Sequence, residues 1–152
     1  MEGMSMVDSM DVGKTQSSLK SLAEFRFQMR KFLSFSEMAS ERCGIPAQQY
    51  QLMQVIAAMP EGQQASITYL AERMILRHNS TVELVDRAER AGLVRRESDP
   101  KDMRRSLVQL TAQGQEIVER LVAEHLRELS PLCDVLIHAL RELQGAVERP
   151  LD

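Results

Sequence analysis

The sequence predicts a mainly α protein with a small β-hairpin wing: a winged helix-turn-helix lobe joined to a helical dimerisation region. Three observations predict it. A short helix from Ser66, a tight turn at Arg77–Asn79 and a second helix to Ala91 have the form of a helix-turn-helix. A hairpin with five basic residues, Arg95, Arg96, Lys101, Arg104 and Arg105, follows directly. Long helical segments with apolar side chains on more than one face flank this block, as expected of helices covered by more than one neighbour.

Residues 1–16 hold no apolar run of the kind a secretory leader needs and are expected to be a disordered tail. Residues 17–148 are expected to form one domain, with 17–45 and 112–148 as the dimerisation region and 46–111 as the winged helix-turn-helix lobe. From Ser17 to about Cys43, Leu22, Phe25, Met29, Phe32 and Leu33 follow helical spacing, while Phe27, Phe35 and Met38 make other faces apolar. Gly44 ends this helix. Pro46 suits the first turn of a second helix that runs to Met59, and Pro60, Glu61 and Gly62 stop it. Ser66 caps the third helix, with Leu70, Ala71 and Met74 inward. Asn79 or Ser80 caps the fourth, and Gly92 stops it. Leu93–Ser98 and Ser106–Leu110 read as strands around the turn Asp99-Pro100-Lys101-Asp102, with Val108 and Leu110 inward. Thr111 caps a fifth helix to about Leu129. Pro131 breaks the chain, and a final helix carries Leu132, Leu136, Leu140 and Leu143.

Charge follows the same division. The chain carries −3 overall, yet residues 73–105 hold nine basic side chains against six acidic ones. A basic patch confined to the middle of an acidic chain fits a nucleic-acid reader with its own dimer body. No apolar run is long enough to span a bilayer, so a cytoplasmic location without membrane contact is expected. Cys43 and Cys133 form no CxxC pair, and with three histidines they give no metal-site spacing. No nucleotide fingerprint, catalytic motif or cofactor motif is present, which argues against an enzyme.

The segment Gly92-Leu93-Val94-x-Arg96, Asp99-Pro100-x-Asp102-x-Arg104, Val108-x-Leu110-Thr111-x-x-Gly114 resembles the MarR family of bacterial regulators. Upstream, Leu70-Ala71-Glu72-Arg73, Ser80-Thr81-Val82 and Leu84-Val85-Asp86-Arg87 resemble that family's two reading helices. The resemblance spans about residues 17–145. It departs at Met103, where the family commonly has a basic residue, and at Ala88, where it commonly has Leu. The resemblance implies a two-fold homodimer that straddles a pseudo-palindromic operator and acts most often as a repressor. For many members it implies a small aromatic or phenolic ligand that lowers DNA affinity, held between the dimer helices and the lobe. Phe25, Phe32, Tyr50 and His125 are the candidate pocket here.

An α-helix fits the DNA major groove, where each base pair presents a distinct donor and acceptor pattern. Arg77, Asn79, Ser80, Thr81, Glu83 and Arg87 are the candidate contacts of the fourth helix. Ser80 and Thr81 suit a phosphate oxygen at a helix N-terminus. Arg87 suits guanine, and Glu83 either accepts from a cytosine amino group or pairs with Arg87 four residues on. Arg104 is the candidate for the minor groove, whose negative potential attracts arginine where it is narrow. Asp102 orients Arg104 or caps the turn. Arg95, Arg96, Lys101 and Arg105 supply salt-sensitive affinity for the backbone. The competing reading is a winged helix that binds a protein partner and no specific DNA.

Overall fold

The computed structural model describes residues 5–147, with side chains described for 12–146. The elements run α1 (Ser5–Arg42), α2 (Ala47–Ala57), β1 (Ala65–Ser66), α3 (Ile67–Met74), α4 (His78–Arg90), β2 (Val94–Asp99), β3 (Asp102–Leu110) and α5 (Ala112–Val147). The mainly α winged-helix architecture is the one the sequence predicts.

Packing divides the chain into two compact units. One comprises Ser36–His125, the other the described residues up to Phe35 together with residues 126–147. This differs from the division expected at residues 46 and 111. Ala39 and Ser40 of α1 and Ile117, Val118 and Leu121 of α5 are buried with the lobe, so the ends of both long helices belong to its core.

Within the lobe, α2, α3 and α4 bury Leu52, Met53, Leu70, Leu84 and Val85. The sheet order is β1-β3-β2, all antiparallel, with Ala65 opposite Val108 and Val94 opposite Leu110. A register shift between Ser98 and Asp99 bends the hairpin near its tip. Strand β1 is the element the sequence reading lacked, since two residues carry no periodicity. Leu107 is buried alongside Val108, and Leu110 is only half-buried. The expected alternation fails there because β3 is the central strand, and Leu107 sits opposite Ser66 where α3 begins.

Three helices end in the same way. In a Schellman ending, the residue in left-handed conformation and the one after it return hydrogen bonds to the last turn. Gly44 ends α1 at φ +73°, with Ile45 N–H donating to Ser40 O at 3.0 Å and Gly44 N–H to Glu41 O at 2.8 Å. Gly92 ends α4 at φ +76°, with Leu93 N–H donating to Ala88 O at 3.0 Å. In α3 the left-handed residue is Ile75, at φ 53°, with Leu76 N–H donating to Ala71 O at 3.0 Å. A β-branched residue is strained there, because its Cβ crowds the following carbonyl. Its side chain is 91% exposed and so gains nothing from packing. Ile75→Gly is therefore expected to stabilise the fold by about 1 kcal/mol in urea unfolding, after glycine's own entropy cost.

Two helix boundaries correct the sequence reading. The first helix begins at Ser5, upstream of Ser17 and within the stretch expected to be disordered; residues 1–4 lie outside the described residues. No proline interrupts Ser5–Gln16, so nothing stops the helix there. Pro131 lies inside α5 and does not break it. Proline removes one backbone donor, but buried or half-buried side chains recur at helical spacing on both sides of it, from Leu129 through Leu132 and Leu136 to Ala139. Packing at those positions outweighs the lost bond.

Candidate nucleic-acid interface

The candidate surface is assembled from the start of α4, the start of α3 and the β2–β3 hairpin. Ser66 caps α3, accepting from Tyr69 N–H at 3.2 Å, as its place before the helix predicts. Helix α4 starts earlier than expected, at His78, after Arg77. Neither Asn79 nor Ser80 caps it. Both lie in the first turn and are exposed, as are Arg77, His78, Glu83 and Arg87. Leaving the N-terminal turn without a side-chain cap leaves its backbone donors for an outside acceptor.

Thr81 is a correction. It is fully buried, and its hydroxyl donates to Arg77 O at 3.0 Å. It locks the first turn of α4 and offers nothing to a phosphate. Glu83 and Arg87 form no ion pair among the described residues. An exposed i, i+4 pair gains only a few tenths of a kcal/mol, roughly, and must fix two long side chains to do so. Both are therefore available to a partner.

The hairpin tip is organised by its two aspartates. Asp99 accepts from Lys101 N–H at 2.9 Å, and Asp102 accepts from Arg104 N–H at 3.0 Å. Of the two roles expected for Asp102, the backbone cap is the one present. Asp99, which the sequence reading treated only as turn chemistry, is buried and does the same for the other side of the turn. Lys101, Arg104 and Arg105 are left exposed.

Arg96 departs from the generic backbone role expected of it. Its guanidinium is ion-paired with Asp86 of α4, and its backbone N–H donates to Glu89 at 2.8 Å. Both contacts stitch β2 to the helix in front of it. Asp86 and Glu89 were missed as anchors; the available signal was two acids on a helix that faces a basic strand. Arg95 is likewise engaged, with Glu97 at 3.4 Å and Gln109 at 2.9 Å. The free cations of the hairpin are thus concentrated at its tip.

These elements enclose a cleft of about 220 Å³ lined by Thr68, His78, Val82, Arg96, Arg104 and Arg105, among others. Arg104, Arg105 and the start of α3 line it together with Arg96, whose charge is already paired with Asp86, an arrangement suited to an anionic backbone. A larger open hollow of about 880 Å³ lies between residues 59–65 and the hairpin. Its charged lining is Glu61, Asp99 and Lys101, so it lacks the positive field of the smaller cleft.

At the base of the hairpin, Thr111 caps α5 as expected. Its hydroxyl donates to Gly92 O at 2.6 Å and accepts from Gly114 N–H at 3.1 Å. A Cβ placed on Gly114 would collide with the Leu93 carbonyl, whose carbon would lie 3.1 Å away. At Gly114, α5 therefore meets the residue that leads into β2 backbone to backbone.

The four candidate pocket residues divide between the two units. Tyr50 and His125 come together in the lobe unit, with ring centroids 5.1 Å apart. His125 Nδ1–H donates to Leu121 O at 2.6 Å, and its Nε2 is hydrogen-bonded with Ser36 Oγ at 2.7 Å. The Tyr50 hydroxyl is buried without a hydrogen-bond partner among the described residues, and burial pushes its pKa up to about 12. Phe25 and Phe32 belong to the other unit. Among the described residues no group of three or more His, Cys, Asp or Glu is placed to hold a metal ion, and no helix is long and apolar enough to cross a membrane.

Comparison with known proteins falls on the same region. Residues 44–105 match the MarR family model. The transcriptional regulator HosA of Escherichia coli O111:H- is 41% identical over 70 residues, which are 46% of this chain and 50% of HosA. The chain thus spans about half the length of the curated relatives it matches. Among solved structures, AbsC, a MarR family transcriptional regulator from Streptomyces coelicolor, aligns with a TM-score of 0.70 at 23% identity, over 88% of each chain. A MepR variant of S. aureus bound to an oligodeoxyribonucleotide aligns with a TM-score of 0.62 at 17% identity, over 82% of this chain and 95% of that one. At these identities the structural likeness is one of fold.

Proposed function

We propose, from the premise that this chain is a member of the MarR family of winged helix-turn-helix proteins, that it is a sequence-specific DNA-binding regulator of transcription. The observation that carries the reading is the convergence of Arg104 and Arg105 on a cleft beside the exposed first turn of α4. In this reading α4 enters the major groove. His78, Asn79, Ser80 and Arg77 meet the backbone and nearby base edges, and Glu83 and Arg87 read bases farther in. Arg104 enters the adjacent minor groove, and Lys101 and Arg105 hold its phosphate walls. Binding, without turnover of a substrate, is the whole of the activity, and the DNA partner places the protein in the cytoplasm.

The protein acts as a homodimer on a pseudo-palindromic operator. In the unit formed by α1 up to Phe35 and α5 from Leu126, Leu19, Phe27, Leu33, Val135, Ile137 and Leu140 are exposed apolar side chains, which supports a second copy as their cover. Two-fold symmetry then sets two α4 helices about one DNA turn apart. Repression follows from occupancy of promoter DNA. A small phenolic or aromatic ligand releases the operator by binding more tightly to the state whose helix spacing does not fit DNA. The unpartnered Tyr50 hydroxyl, beside the His125 ring, supports such a ligand site.

The test is fluorescence anisotropy on duplexes that the purified protein selects from a random pool, against scrambled duplexes of equal composition. A marked preference for the selected duplex, weakening steeply as salt rises, is expected. Equal weak binding to both, or capture of no duplex even at low salt, would replace this reading with a winged helix that serves protein contacts.

A further inference from the structure

We propose that Met103, at the tip of the hairpin, is a direct DNA contact: its thioether side chain lies against the apolar deoxyribose wall of the minor groove that Arg104 enters. The inference rests on the DNA-binding reading above and adds to it a residue that contributes by shape and not by charge.

Met103 is 77% exposed, whereas its neighbours along the tip are charged: Lys101, Asp102, Arg104 and Arg105. Single exposed apolar side chains are ordinary on protein surfaces. This one sits where the backbone is held. Asp99 bonds the Lys101 N–H, and Asp102 bonds the Arg104 N–H, on either side of it. The methionine is therefore presented from a fixed turn. Met103 and Arg104 are successive residues at the turn end of β3, so both side chains are presented from one tip and can meet one groove. Methionine is unbranched and polarisable, fills irregular apolar surface, and is among the residues that minor-groove proteins press against sugars and base steps. The surrounding cations bring phosphates to the tip, and the thioether gains only when water leaves the sugar edge between them. That gain depends on groove width, which is set by DNA sequence, so Met103 contributes to discrimination.

The experiment compares Met103→Ala, Met103→Leu and Met103→Lys with the parent protein, on the parent's selected duplex across a series of KCl concentrations. Met103→Ala is expected to weaken binding about five- to tenfold at every salt concentration, leaving the slope of log K against log salt unchanged. Met103→Leu is expected to stay within about twofold of the parent. Met103→Lys is expected to steepen the slope by about one and to narrow the preference over scrambled DNA. Met103→Ala binding as tightly as the parent would overturn the proposal while leaving the DNA reading intact. A parent that selects no duplex would overturn both.

Discussion

Arg104→Ala is expected to lower affinity for the selected operator duplex by about 10- to 100-fold, with little change in thermal stability. The side chain is exposed and forms no ion pair among the described residues, so its removal leaves no buried charge unpaired. The turn survives as well, since Asp102 holds the Arg104 backbone N–H and not its guanidinium. The whole loss therefore falls on DNA. Arg105→Ala provides the comparison. A backbone phosphate contact loses affinity nearly uniformly across sequences and lowers the salt slope by about one. An arginine in a narrow minor groove also loses discrimination, so for Arg104→Ala the penalty should shrink when A·T steps under the wing are replaced by G·C. Anisotropy titrations of both variants on both duplexes measure this. Equal affinity of Arg104→Ala and parent would remove the wing from the interface.

Gly114→Ala is expected to destabilise the protein by about 3 kcal/mol, which for a chain of this size lowers the melting midpoint by roughly 6–12 °C. Helix propensity alone favours alanine by about 1 kcal/mol, so the sign of the effect separates the two explanations. Gly114 lies in the first turn of α5, directly on the Leu93 carbonyl where the chain enters β2. A methyl group there meets backbone on the far side, and backbone has no rotamer to yield. The first turn of α5 must lift. With it go the Thr111 hydroxyl bond to Gly92 O at 2.6 Å and the Thr111 N–H bond to Leu93 O at 3.1 Å. Urea unfolding followed by circular dichroism gives the number. A variant as stable as the parent would show that the junction relaxes freely.

Most of the fold was legible because local chemistry marked its punctuation. Gly44 and Gly92 stop helices, Ser66 and Thr111 start them, and Asp99 to Asp102 form the turn, each by a mechanism that acts within five residues. What depended on distant partners was less legible. Pro131 reads as a breaker until the buried and half-buried side chains on both sides of it are weighed as one surface. Thr81 and Ser80 are alike as neighbouring hydroxyls, and only the burial of one face of α4 separates them. Arg96 looks like any other cation of the hairpin until α4 is laid against β2 and supplies Asp86 and Glu89. Ile75 carried no signal, since it falls between the last helical position read, Met74, and the turn read at Arg77–Asn79, and it is not a glycine. Its strain follows from the shared ending it must adopt to connect α3 to α4.

The edges of the three-stranded sheet bear on how the protein behaves at high concentration. An open strand edge is a template on which other chains add strands, the first step toward fibrillar aggregates. Here one edge, β1, is two residues long and ends where α3 begins, too short to hold an incoming strand. The other edge, β2, carries Arg95, Arg96 and Glu97, and its Arg96 N–H is already taken by the Glu89 carboxylate. An intruding chain would have to displace a charge-assisted bond and face a row of ions before making a ladder bond of its own. The contacts that fix the wing against α4 thus also keep the sheet from recruiting its neighbours.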